Sequence, residues 1–138
     1  MELKLNQIVY YGRYYPSKSN EYVIYWWLNI SDYRIYSTDE LLLEYGYDDV
    51  KDIRTNDSFI PMFQVNMFDL EQKFLSLLPA SVKRHFCAEK QHYKLDDDAA
   101  FKSFVEKEGI FSDWKEYEYS NLYRSAQNWC EKHGITYR

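Results

Sequence analysis

The chain has 138 residues, a net charge of −5 and an aromatic content of 20% led by fifteen tyrosines. That length fits a single domain spanning 1–138 with room for a real core, and the apolar content sets it apart from disordered chains. A mildly acidic protein does not gather nucleic acid through counterion release, so duplex DNA and RNA are disfavoured as partners. The longest apolar run, YVIYWWL at 22–28, is too short to span a bilayer. The start MELKLNQ lacks the basic-then-apolar pattern of a secretion signal. With two cysteines far apart, free thiols in the cytoplasm are expected.

In chain order, LKLNQIVYY reads either as a short helix capped by Asn6 or as a strand, and residues 3–12 stay open between the two. YVIYWWL, NISD and YRIYS then form a β-hairpin with a polar loop at 29–32. Pairing Leu28 with Tyr33 and Trp27 with Arg34 sets Ile24, Trp26, Leu28, Tyr33 and Ile35 on one face. Tyr25, Trp27, Arg34 and Tyr36 share the other. A helix follows, with Ser37 and Glu40 as a capping box and Gly46 as its stop.

The acidic stretch 47–58 reads as a surface loop, and FIPMF as a short edge strand limited by Pro61. Asn66 caps a further helix, with Met67, Leu70, Phe74, Leu77 and Leu78 at buried spacing and Pro79 near its end. Residues 80–92 form another helix. Asp96, Asp97 and Asp98 open the next by capping free N–H groups, and it closes on Gly109. The longest helix runs from Ser112 to Gly134, with Trp114, Tyr119, Leu122, Ala126 and Trp129 on its apolar side. The expected fold is α+β: an N-terminal antiparallel hairpin or small sheet, with a helical C-terminal half laid against it.

FKSFVEKEGIFSDWKEYEYSNLYRSAQNWCEKHGI resembles the C-terminal signature of uncharacterised protein family 0158 of the UPF series. There an Ala-Phe-x-x-Phe helix leads to a Trp-rich helix ending in Trp-Cys-Glu and a Gly-Ile cap. The counterparts are Ala100, Phe101, Phe104, Trp114, Tyr117, Trp129, Cys130, Glu131, Gly134 and Ile135. IPMFQVNMFDLEQKFLSLLP and EYVIYWWLNISDYRIYSTDE resemble the family's middle helix and hairpin. In place of an Arg/Gly-rich stretch before the Ala-Phe pair, this chain has KQHYKLDDD. The resemblance implies a bacterial protein and brings no activity, cofactor or catalytic residue.

Five residues invite a metal or catalytic reading: His85, Cys87, His92, Cys130 and His133. On a helix, His85 and Cys87 point to nearly opposite faces. His85 and His92 lie about 10 Å apart along the axis, too far for one metal. Cys130 and His133 alone have ligand spacing, and two ligands make no structural zinc site, so neither metal nor cofactor is expected. No glycine-tight nucleophile elbow or phosphate loop is present. The locally basic KRHFCAEKQHYK, with Phe86 and Tyr93, reads as a solvated helix face.

The second hairpin face is the remaining oddity. Exposed, Tyr25, Trp27, Arg34 and Tyr36 would form a patch rich in hot-spot residue types, with Arg34 over Trp27. Covered by helices, the same residues would be core. The functional expectation is a non-catalytic domain binding a protein partner or a second copy through that face. The alternative is an enzyme whose dispersed site lies near His85 and Cys87 or near Cys130 and His133.

Overall fold

A computed structural model describes residues 1–16, 23–93 and 97–138, without the side chains of 92 and 93. The fold is α+β, and its contacts divide into two compact units. Residues 1–64 with 122–138 form the first, and residues 65–121 the second. Asp96, expected to cap a helix, lies outside the described residues, as does the start of the EYVIYWWL segment.

The first unit begins with a helical turn, α1 (Leu5–Ile8), continued by a 3-10 turn at Val9–Gly12 and a short strand β1 (Arg13–Tyr14). The helical alternative for this stretch is therefore the one adopted up to Gly12. Asn6 lies within α1 rather than capping it, because the N-cap position is Lys4, which offers no side-chain bond. At Gly12 the backbone passes against Phe63. An alanine Cβ there would sit 2.0 Å from the ring. Gly12→Ala is expected to lower stability by about 1–3 kcal/mol through this overpacking, and an unmoved urea midpoint would show that the ring yields freely.

The hairpin is built from β2 (Trp26–Asn29) and β3 (Arg34–Ser37). Its register pairs Trp27 with Tyr36, Leu28 with Ile35 and Asn29 with Arg34, two residues from the expected pairing. The turn causes the shift. Asn29 Oδ1 accepts from the Ser31 amide at 2.8 Å, and Asp32 Oδ1 accepts from the Arg34 amide at 2.9 Å. Tyr33 adopts a left-handed φ of 57°, so it belongs to the turn and not to the strand. Because the slip is two residues, the paired residues of β2 and β3 keep their predicted alternation, whereas Ile24, expected on the Trp26 face, lies before β2 and packs with Trp27.

Strand β4 (Phe59–Pro61) pairs antiparallel with the other edge of β2, giving the order β3-β2-β4. Helix α2 (Thr38–Leu43) starts where β3 stops, and the Ser37 hydroxyl accepts from the Glu40 amide at 3.0 Å as the capping box requires. The supposed loop at 47–58 holds a helix, α3 (Val50–Arg54), whose first amide donates to Asp49. Val50 and Ile53 stand three residues apart, so one turn of helix puts both against the core, and Ile53 is fully buried. The first unit closes on both chain ends: Leu3 bridges Tyr137, with the Leu3 amide donating to Thr136 O at 2.9 Å and the Arg138 amide to Leu3 O at 2.9 Å.

The second unit opens with β5 (Val65–Asn66) and α4 (Met67–Ser76), where Asn66 Oδ1 accepts from the amides of Phe68 and Asp69. Leu77, expected in the core, is exposed, since the helix ends at Ser76 and Leu75 fills the buried position. Then come α5 (Ala80–Tyr93), α6 (Asp97–Lys107) and α7 (Phe111–His133), the last running on into the first unit. Aromatic rings hold the second unit together. Trp114 meets Phe101 edge-on at 4.7 Å and Phe74 at 5.4 Å, and Phe86 meets Phe104 at 5.1 Å. On α7, Trp114, Leu122, Ala126 and Trp129 are buried as expected. Tyr119 is only partly so, and Glu118 is buried in its stead.

Candidate functional site

Trp27, the centre of the predicted aromatic face, has 0% of its surface exposed. It lies in a core with Ile24, Leu41 and Ile53, against which Tyr36, Tyr47, Val50 and Phe59 pack. Its indole N–H donates to Thr38 Oγ1 at 2.8 Å, and that hydroxyl donates to Ile24 O at 2.6 Å. An exposed patch centred on Trp27 is thereby overturned. Helices α2 and α3 follow β3 in sequence and supply the apolar residues that cover this face, so both sides of the sheet are apolar.

Tyr36 is half-buried. Its hydroxyl donates to Asp32 Oδ2 at 2.8 Å, and its ring lies near Tyr45 and Phe59. The hydrogen bond to Asp32 pushes the phenol pKa up. The Arg34 amide, foremost, holds the Asp32 carboxyl below its usual range. Tyr25 is half-buried beside Tyr14 at 5.8 Å. Arg34 alone of the four is open to solvent, and it faces Asn29 rather than Trp27. No shared cation–π site results.

His85 and Cys87 belong to the second unit, Cys130 and His133 to the first. Cys130 is fully buried, and burial, with a smaller contribution from Glu131, pushes its thiol up to about 11. At neutral pH it is a protonated, inert filler. The His133 ring rests 5.7 Å from that of Trp129, and desolvation, followed by repulsion from Lys132, lowers its pKa. His85 Nδ1 lies 2.6 Å from Glu108 and Nε2 3.4 Å from Glu89. Cys87 instead lines a groove, so the two do not converge. Among the described residues, no group of three His, Cys, Asp or Glu side chains is placed to hold a metal ion.

A groove is the remaining candidate. It encloses about 1130 Å³ between α4, α5 and α6. Phe68 and Phe86 supply apolar wall, and Gln72, Cys87 and Gln91 line it too. Among the described residues, four carboxyl groups line it (Asp69, Glu71, Asp97 and Asp98) against one cation, Lys90, which is paired with Asp97.

Two of those carboxyls are joined. Glu71, on α4, is 2% exposed, and it hydrogen-bonds Asp98 at the start of α6. Burial first, and Asp98 second, push the Glu71 pKa up to about 9. Asp98 Oδ2 meets Lys102 at 3.0 Å, whereas Oδ1 is buried and no N–H group among the described residues reaches it. Two carboxylates cannot hydrogen-bond each other unless one carries a proton, and a proton held by Glu71 supplies the donor that this pair needs. Nearby Glu118 is buried on α7, with Lys115 at 3.3 Å. Three carboxyl groups thus meet two ammonium groups, and the shared proton balances the charge.

Sequence reading passed over this pair, yet a signal was there. Glu71 stands four residues after Met67 and four before Leu75, on the buried stripe of α4. Glu118 stands likewise between Trp114 and Leu122 on α7. A glutamate at an apolar position of a helix is the mark of a protonated or paired carboxyl. No family model matches the chain, and no match is found among curated proteins or solved structures.

Proposed function

We propose that this chain is a non-catalytic cytoplasmic binding domain whose groove between α4, α5 and α6 receives a basic segment of a protein partner. The observation carrying this reading is the lining, in which, among the described residues, four carboxyl groups face one lysine beside two phenylalanine rings. Complementary charge steers and orients such a segment, and the rings take the aliphatic stems of its lysine or arginine side chains. Acidic lining repels nucleic acid, and no helix among the described residues is long and apolar enough to cross a membrane. The enzyme reading draws no support from a protonated Cys130 or from the divergence of His85 and Cys87. Kinship with uncharacterised family 0158 belongs to the same proposal, carried by the motif from Ala100 to Ile135.

The test is titration of a fluorescent lysine-rich peptide at low salt, with an acidic peptide of equal length as control. Saturable binding of the basic peptide alone is expected, weakening as salt rises. The charge reversal Asp69→Lys, at an exposed position, is expected to weaken it at least tenfold. Equal binding of both peptides, or indifference to Asp69→Lys, would remove the groove as the site.

A further inference from the structure

We propose that the groove recognises a lysine ammonium by exchanging it for the proton shared between Glu71 and Asp98. The inference rests on the binding role just proposed and names the chemical group that the site reads. Its basis is geometric. Glu71 is almost wholly buried yet lines the groove and hydrogen-bonds Asp98, whose Oδ1, also buried, has no partner among the described residues. Among the described residues, the charged groups around Glu71 are Asp98 and Lys102 on α6 and Glu118 on α7, with Lys115 beside Glu118. With Glu71 protonated their charges cancel. Without that proton the cluster holds one buried negative charge too many, which a cation from the groove would neutralise.

The exchange balances. The Glu71 O–H bond breaks, its proton passes to solvent, and the ammonium N–H groups donate to the freed Glu71 carboxylate and to Asp98 Oδ1. The net charge of the filled cluster equals that of the resting one. A compact ammonium with three donors suits two adjoining carboxyl groups, whereas the planar guanidinium fork matches the two oxygens of a single carboxylate. Phe68 and Phe86 line the groove where the tetramethylene stem would lie.

The experiment is calorimetric titration of a capped lysine-containing peptide, with norleucine and arginine counterparts, between about pH 6 and 8 in buffers of differing ionisation enthalpy. Lysine stays charged throughout that range. Release approaching one proton per peptide is expected, with affinity rising up to about tenfold per pH unit. The norleucine peptide should bind far more weakly, and the arginine peptide more weakly than lysine. Glu71→Gln should abolish the proton release and the pH slope, and Asp98→Asn should do the same should the first variant fold poorly. Lysine binding without proton release would overturn the exchange and leave the binding role standing. Equal affinity for the norleucine or arginine peptide would also overturn it. Absence of binding at every pH would overturn both.

Discussion

Trp27→Ala is expected to lower stability by about 3–5 kcal/mol, the range for removing a large aromatic from a filled core. The indole is fully enclosed by Ile24, Leu41 and Ile53, and its loss also leaves Thr38 Oγ1 without its donor. Trp27→Phe separates the two contributions. It keeps a ring, forfeits the 2.8 Å hydrogen bond, and should cost about 1–3 kcal/mol. Arg34→Ala, on an exposed position of the same sheet face, should stay within about 0.5 kcal/mol of the parent. Urea unfolding, with amide exchange along β2 and β3 as the local probe, measures all three. A near-neutral Trp27→Ala would contradict the closed sheet face and reopen that surface to binding.

Glu71→Gln is expected to stabilise the protein in mildly alkaline solution. The glutamate pKa rises from 4.5 to about 9 on folding, so between those values the folded chain holds a proton that the unfolded chain has released. Stability contributed by this group is complete below about pH 4.5 and is lost as pH climbs towards 9, with a slope of at most about 1.4 kcal/mol per pH unit. Glutamine does not titrate, and its amide N–H still donates towards Asp98. The difference in melting temperature between variant and parent should therefore widen from pH 5.5 to pH 8.5 by several degrees, the stability change at that slope being at most about 4 kcal/mol. A constant difference across that range would show that Glu71 is ionised in the folded state.

Much of the fold was legible because local chemistry and tertiary packing agree. The Ser37 and Asn66 caps, the Pro61 edge strand and the long helix ending at Gly134 all follow from short-range signals that the structure keeps. The misreadings arise where a single side chain decides. The hairpin register hung on side-chain bonds from Asn29 and Asp32 within the turn, which hydrophobic alternation does not see. The helix at 50–54 lay hidden in an acidic run because one buried isoleucine outweighs its charged neighbours. The site was harder to find. Rings draw attention, yet here they are mostly cohesion, whereas the groove is set by a glutamate that reads as an ordinary surface charge until its helical register is counted.

The bridge between Leu3 and Tyr137 bears on the order in which the molecule is made. Residues 65–121 are contiguous, so every partner within that unit has been synthesised well before the chain reaches residue 135. The other unit is split. Its opening strap waits for a mate 134 positions downstream, a closure with a high loop entropy. On the ribosome the helical insert therefore has the head start, and the hairpin unit is sealed only when residues 135–138 emerge.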